Sequence, residues 1–291
     1  MLVGFGGGAT FAGGQLLADP ERFAAAALLY GTLPFDAGLP MTRGRLFDVP
    51  VFLTHGVHDL VVPADLQRRT WDYLVRESGS PLWTQREPGG HELTAKTVTG
   101  LAGWIEARLG FLQRQGQPVS DRAEPACWPT QPDGWLPVRH GEPPEVSVTT
   151  PQQQESQNAP PELQEALFSR VMQLDQVATA PSAVSVPGAR AFVLGPDAAR
   201  GPREAFIAPD LGEFAHLHPG YDGSLHLVLP IPLARDAVVQ GWAVAHPLAG
   251  LRLGAGMVMV FGPRDAAELE IVTAIVRASH AHAAGLEVRS G

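Results

Sequence analysis

The sequence predicts an α/β segment, a polar connector and then a smaller α+β domain, and three observations carry that expectation. Apolar runs alternate with helical stretches over roughly residues 1–113, the pattern of parallel strands joined by helical crossovers. A run rich in Pro, Gln, Glu and Ser breaks the periodicity over residues 114–160. Beyond it, residues 161–291 place alternating strands between helices, which fits helices packed on one face of a mainly antiparallel sheet.

Element by element, the chain opens on an apolar start that runs through Gly4-Phe5-Gly6-Gly7-Gly8 into a helical stretch, a strand–turn–helix pattern. Residues 49–56 read as a short buried strand, 64–77 as an amphipathic helix, 82–86 as a strand and 94–109 as a second helix. In the connector, Trp128 and Trp135 bracket turn residues and are expected to dock on a neighbouring domain. The run 149–161, with Gln152-Gln153-Gln154, has too few apolar residues to order itself and is expected to be flexible or tethered to a surface. Pro161 and Glu162 then start a helix well, with Leu163, Leu167, Val171 and Leu174 on one stripe. Strands are expected at 184–186 and 190–194, an extended stretch at 205–207, a short helix at 233–241, a loop at 242–250, a strand at 257–261 and a long helix at 264–284.

The most informative stretch lies between residues 213 and 229. Phe214–His218 and Ser224–Leu229 alternate, and Pro219-Gly220-Tyr221-Asp222-Gly223 between them is turn chemistry, so the pair reads as a β-hairpin. A five-residue loop sets His218 opposite Ser224 and His216 opposite His226. Phe214, His216, His218, Ser224, His226 and Val228 then share one face, while Ala215, Leu217, Leu225, Leu227 and Leu229 form the core stripe. A four-residue loop would move His226 to the other face. Glu213 falls on the core-face parity and reads as a hydrogen-bonding edge residue. His280 and His282, near the end of the last helix, are expected to face solvent or complement its dipole.

Composition excludes some classes of function. A net charge of −9 gives no basic face for phosphates, so no nucleic-acid partner is expected. The single cysteine, Cys127, leaves no intrachain disulfide and fits a reducing compartment. No apolar run approaches the length of a membrane span and the N-terminus has no signal-peptide pattern, so a cytoplasmic protein without a membrane partner is expected.

Three motifs in the first segment occur in a telling order. Gly4-Phe5-Gly6-Gly7-Gly8 stands where Gly-x-Ser-x-Gly would form a nucleophile elbow. His55-Gly-Val-His-Asp59 looks like the loop presenting a triad acid, and Gly89-Gly-His91-Glu92 like the loop presenting its histidine. Residues 1–110 thereby resemble the carboxylesterase/phospholipase branch of the α/β-hydrolases. That resemblance implies that Asp59 orients His91, which would deprotonate a nucleophile. The nucleophile position is Gly6, which has no hydroxyl to activate, and Thr10, the nearest hydroxyl, is placed inside the helix. The family's earlier strands and part of its oxyanion hole would stand before Met1, so an incomplete and inactive segment is expected, with the open sheet edge a surface for oligomerisation.

A second resemblance covers roughly residues 163–284. Glu213-Phe-Ala-His-Leu-His218, Ser224-Leu-His-Leu227, Gly241-Trp242, His246-Pro-Leu-Ala-Gly250 and Gly262-Pro-Arg-Asp-x-x-Glu268 are similar to the fungal luciferase family. The resemblance implies an oxygen-using enzyme for a hydroxylated pyranone such as 3-hydroxyhispidin, with O₂ as co-substrate and no established metal or organic cofactor. The sequence departs from that family in lacking its membrane-anchoring apolar N-terminus.

Two chemistries fit this site. Either His216, His218, His226 and His246 act as bases and hydrogen-bond donors toward an enolate and a peroxide, or His216, His218 and His226 bind a first-row metal as neutral imidazoles. Ser224, Trp242 and Arg264 are candidate substrate contacts: Trp242 could stack on a planar ligand, and Arg264 could meet an anionic oxygen or pair with Glu268. Against both stand a non-catalytic binding module built on the same histidines and, in the first segment, a hydrolase active only in a longer form that carries the serine.

Overall fold

The computed structural model describes residues 1–115, 127–128, 131 and 134–286. They form two units, the first from residues 1–115 and 247–252 and the second from the described residues of 127–246 and 253–286. No helix among the described residues is long and apolar enough to cross a membrane.

In the first unit, β1 (Leu2–Phe5), β2 (Ala26–Leu29), β3 (Val51–Gly56) and β4 (Leu82–Glu87) lie in that order in one sheet, every pair parallel. Helix α1 (Gly7–Ala18) lies between β1 and β2 and α2 (Ala64–Arg76) between β3 and β4, while α3 (Ala95–Gln115) follows β4. Both faces of the central strands β2 and β3 are buried. Leu28, Val51 and Leu53 join one core cluster with Leu16 and Leu74, while Ala27, Leu29 and Phe52 join another with Trp104 and Leu251. This is why β2 escaped the sequence reading: Ala24-Ala-Ala-Ala-Leu-Leu29 shows no alternation because neither face meets water. Where β1 turns into α1, a Cβ on Gly4 would lie 2.3 Å from the carbonyl oxygen of Gly8, so strand and helix approach closely only because Gly4 has no side chain.

The second unit is a six-stranded sheet in the order β5-β6-β7-β8-β10-β9, antiparallel throughout. Its strands are β5 (Val177–Pro181), β6 (Arg190–Leu194), β7 (Glu213–Leu217), β8 (Leu225–Val228), β9 (Ala243–Ala245) and β10 (Met257–Val260), and its helices α4 (Pro161–Val171), α5 (Ile231–Val239) and α6 (Ala266–Ala283). On the apolar face, Phe168 of α4 packs on Phe192 at 5.5 Å between ring centroids, and Phe214 lies between Phe192 and His280 of α6. His280 is accordingly buried, with its Nε2 2.9 Å from the carbonyl oxygen of Asp175, rather than facing solvent as expected. The strand expected at 184–186 is a bend, β5 taking its place in the sheet, and the extended stretch at 205–207 gives way to a 3₁₀ turn, Arg203–Ala205.

The hairpin has the register that the five-residue loop requires: His216 pairs with His226, Leu217 with Leu225, and the amide of His218 donates to the carbonyl of Ser224. One end departs from simple alternation. Against β6, Phe192 pairs with Ala215 but Val193 pairs with Glu213, leaving Phe214 as the extra residue of a β-bulge. The bulge reverses two expected faces: Phe214 goes to the helix side, and Glu213 comes round to the histidines. Gly212 enters the bulge at φ 67°, where a Cβ would lie 2.0 Å from the carbonyl oxygen of Leu194.

Of the two expectations for the connector, flexible or tethered to a surface, its described residues follow the second. Its residues 116–126, 129–130 and 132–133 lie outside the described residues. The indole of Trp128 is buried and donates to Asp236, while Trp135 is exposed. Residues 145–155 fold back on themselves through a Val146–Gln154 bridge and backbone bonds from Ser147 to Gln153 and from Glu155 to Glu145. Gln152 and Gln154 are buried. Gln154 orders the strap because its amide finds partners at each end, donating to the carbonyls of Ser156 and Gln157 and accepting from the Gly262 amide.

The bulge makes a checkable claim about Phe214. Truncation to alanine should destabilise the second unit by about 3–5 kcal/mol, the cost of emptying a buried aromatic site, read as a lower urea midpoint at unchanged slope. A midpoint within experimental error of the wild type would place the ring away from the helix face.

Candidate functional site

Four histidine rings meet on the sheet face opposite Phe214 and α6. His216 and His226 sit across the β7–β8 pair, His218 follows at the strand end, and His246 follows β9 with its ring 4.9 Å from that of His226. All four are buried, between 2% and 6% exposed. The nitrogens of three converge: His226 Nδ1 lies 3.1 Å from His216 Nε2 and 3.1 Å from His218 Nε2.

The outer atoms of these rings fix where their hydrogens are. His216 Nδ1 is 2.7 Å from Glu213 Oε1, and His218 Nδ1 is 2.7 Å from Asp222 Oδ2. An ionised carboxylate only accepts, so both Nδ1 atoms carry the hydrogen and both Nε2 atoms present a lone pair. His226 Nε2 lies 3.2 Å from Gln152 Oε1, while the amide nitrogen of Gln152 donates to the carbonyl of Ala245. A backbone carbonyl cannot donate, which orients that amide and makes His226 Nε2 the donor. Its Nδ1 is then unprotonated as well, so three lone pairs face one another.

Electrostatics keeps this arrangement. Burial pushes the Glu213 carboxyl up, but hydrogen bonds from His216 and Ser182 outweigh it and hold the group below the usual carboxylate range. Asp222 behaves alike: burial raises it, and His218 with the hydroxyl and amide of Ser224 brings it down. His226 is driven well below the normal histidine range by burial and then by His246, His218 and His216. Burial, with His216 and His218, takes His246 down to about 3. His216 is lowered by burial against the opposing pull of Glu213.

The remaining expected contacts are placed variously. Ser224 joins the cluster through Asp222 and His218, its Oγ 3.0 Å from His218 Nδ1. The indole of Trp242 donates to the carbonyl of Pro137 with the Arg139 guanidinium over its ring, so its partners come from the strap side of the chain and not from the histidines. Arg264 pairs with Glu268 and donates to Gln157 and the carbonyl of His140, in a network that includes Arg139. Asp222 and Gln152 are the residues that sequence reasoning passed over, and Glu213, read as a hydrogen-bonding edge residue, does hydrogen-bond but on the histidine face. Asp222 was legible only as turn chemistry, and Gln152 only as a polar run.

These pKa shifts have a definite sign. His216, His226 and His246, all held below the ordinary histidine range, stay neutral when folded, whereas an unfolded histidine takes up a proton near ~6.5. The unfolded chain binds more protons below that pH, so stability falls as pH drops from about 6.5 toward the folded values, by up to about 1.4 kcal/mol per pH unit for each such histidine. Glu213 and Asp222 act in the same direction lower down, as pH falls below ~4. Urea midpoints should decline steadily from pH 7 to pH 5; a flat profile would show that the rings titrate normally.

The first unit holds a second constellation. Asp59 Oδ2 lies 2.9 Å from His91 Nδ1, and Asp59 Oδ1 accepts from the amides of Val61 and Val62. Burial raises the Asp59 carboxyl, but the His91 hydrogen bond and those amides bring it below the usual range. At the elbow Gly6 has φ 55° and ψ −125°, and a Cβ built there would stand 3.0 Å from His91 Nε2. Acid, histidine and elbow thus have the layout of a catalytic triad whose third member has no side chain, carried by a four-stranded parallel sheet. Thr10 does not substitute: it lies in α1, and its hydroxyl accepts from the Thr32 amide. Replacing Gly6 by Ser should therefore create a hydroxyl that reacts with a fluorophosphonate, while the wild type stays unlabelled and His91→Ala in the Gly6→Ser background removes the labelling. Equal labelling with and without His91 would show that the pair does not act on position 6.

Comparison with known proteins gives the second unit its kinship. The family described as "Luciferase domain" matches residues 211–279. A luciferase of Armillaria ostoyae is 36% identical over 70 residues, covering 23% of this chain and 26% of that protein, and a luciferase of Neonothopanus nambi is 34% identical over the same shares. Among solved structures, a Bacillus cereus carboxylesterase (22% identity, TM-score 0.32) overlaps 36% of this chain and 49% of its own. A maize acyl-protein thioesterase (21% identity, TM-score 0.32) overlaps 36% and 54%. The aligned stretch spans about a quarter of the luciferases' length. The match to the luciferase-domain family is confined to residues 211–279, the stretch that holds β7, β8 and the four clustered histidines.

Proposed function

We propose that the second unit binds a small planar hydroxylated compound at the histidine cluster and oxidises it with O₂. The observation that carries this reading is the convergence of three unprotonated imidazole nitrogens, each with its outer atom committed to Glu213, Asp222 or Gln152. A nitrogen so held is a base of fixed direction. It can take the proton of an enolic hydroxyl, and the enolate can pass one electron to O₂; recombination gives a peroxide that regains the proton. The kinship with fungal luciferases supports this chemistry over a purely structural network. The cluster is buried, so a substrate reaches these nitrogens only when Gln152 and its strap give way.

The rest of the proposal is a small-molecule partner, no nucleic acid or membrane partner, a cytoplasmic setting consistent with one unpaired cysteine, and association through the edge strand β1 as the route to any oligomer. A second reading, a carboxylesterase-type hydrolase, is favoured by one observation, the Asp59–His91 pair aimed at position 6.

Oxygen uptake separates these readings. With a polyhydroxylated pyranone, the full chain should consume O₂, and His216→Ala and His226→Ala should each lower the rate by at least about 10²-fold, the usual reach of one acid–base group. Ligand binding without uptake would reduce the second unit to a binding module. Turnover of a p-nitrophenyl ester that disappears in His91→Ala would move the activity to the first unit.

A further inference from the structure

We propose that His216 Nε2, His218 Nε2 and His226 Nδ1 together bind one divalent first-row transition-metal ion. This rests on the functional reading of the same site and changes one role in it, since a nitrogen whose lone pair ligates an ion cannot also take the enolic proton; its test does not require turnover. The geometry argues for it in three ways.

The spacing is that of ligands already gathered around an ion. Nitrogens ~2.0–2.1 Å from a metal and separated by ~90–109° lie ~2.9–3.4 Å from one another. His226 Nδ1 stands 3.1 Å from His216 Nε2 and 3.1 Å from His218 Nε2, within that range, and the three residues can each offer one ligand atom to a common ion.

Protonation points the same way. Two imidazole nitrogens 3.1 Å apart ordinarily share a hydrogen, one donating and the other accepting. Here the hydrogens are drawn to the outer atoms by Glu213, by Asp222 and by the Gln152 carbonyl, whose orientation is fixed by Ala245. The inner atoms are left as three acceptors with no donor among them, in a region from which water is excluded. A cation relieves that conflict.

The surroundings also match. A metal-bound imidazole commonly gives its other N–H to a carboxylate or carbonyl, which sets the tautomer and raises its basicity. Every member of this trio has such a partner. Glu213 is tied in turn by Ser182, and Asp222 by Ser224 and the Gln154 amide. Two carboxylates one ring away from a divalent ion also balance its charge, which a buried cation requires. His246 lies beside His226 but does not join the converging set. Three protein ligands leave further positions open for an exogenous oxygen ligand, the arrangement of reactive rather than closed sites. Neutral imidazoles suit zinc, iron, copper or nickel more than magnesium or calcium.

The test uses the full chain after chelator treatment, with cobalt(II) alone as the probe. Visible absorption from bound cobalt should saturate at one ion per chain. His226→Ala should abolish that band, and Glu213→Gln and Asp222→Asn, which keep the ring contacts but remove the charge, should weaken binding by about 10–100-fold. Far-UV circular dichroism identifies variants that have lost their fold. No saturable binding to the folded wild type overturns the proposal, as does unchanged binding in a folded His226→Ala protein. Oxygen uptake that survives complete absence of metal binding would overturn the ion and leave the oxygenase reading standing. One cobalt per chain without oxygen uptake from any metal-loaded form would do the reverse.

Discussion

Three imidazole lone pairs held face to face in a dry interior are the constraint around which the second unit is arranged. Such an arrangement is unfavourable unless each ring has its hydrogen drawn outward, because buried polar atoms without a complementary partner cost about 1–3 kcal/mol each. Each of the three outward partners comes from a different local device. Glu213 comes from a bulge, Asp222 from the turn that closes the hairpin, and Gln152 from a strap that begins sixty-odd residues earlier. Removing any one of the devices would let a proton back between the rings. Much of the unit's irregular structure therefore has one purpose, which is to keep hydrogens off three nitrogens.

This explains which parts of the site were legible in the sequence. The hairpin register could be read because the turn Pro219-Gly-Tyr-Asp-Gly223 has its own chemistry and the strands alternate, so counting alone placed His216 opposite His226. Counting failed at Phe214, where one extra residue in β7 swaps the faces of Phe214 and Glu213. Nothing in Glu213-Phe-Ala-His marks a bulge. It follows from the pairing with Val193 and from Gly212 entering at positive φ, both of which are tertiary facts. Gln152 was illegible for a similar reason: a glutamine run without apolar neighbours reads as solvated, and its order derives from partners at Ala245 and His226 far along the chain. β2 was hidden by the opposite circumstance, since a strand buried on both faces has no period to find.

The first unit holds the layout of a catalytic triad with no side chain at the nucleophile position. The elbow backbone at Gly6, the Asp59–His91 pair and the amides that hold Asp59 are all in place, yet position 6 offers no nucleophile. The left-handed backbone at Gly6 is a conformation that glycine adopts without strain, whereas a serine there bears a conformational cost of ~1–3 kcal/mol. Glycine at position 6 thus adopts the turn without that cost. The Asp59–His91 pair needs no catalytic purpose to survive, because Asp59 also organises its own loop through Val61 and Val62.

The histidine site differs in that its layout has no comparable structural excuse. An apolar trio on the same face would pack against Ala245 and the strap without two buried carboxylates, and replacing buried charged groups with well-packed apolar ones is often neutral or stabilising. Glu213 and Asp222 would then have no role, and the bulge that swings Glu213 inward would serve nothing. A fold that accepts the desolvation of two carboxylates to fix the tautomers of two histidines is specifying lone-pair direction. Lone-pair direction matters only to something that occupies the point where the three pairs meet, a proton in flight or a metal ion. Burial distinguishes the two: a transferred proton must be exchanged with each turnover, whereas an ion can stay, so the enclosure by Gln152 favours a resident occupant with the substrate admitted beside it.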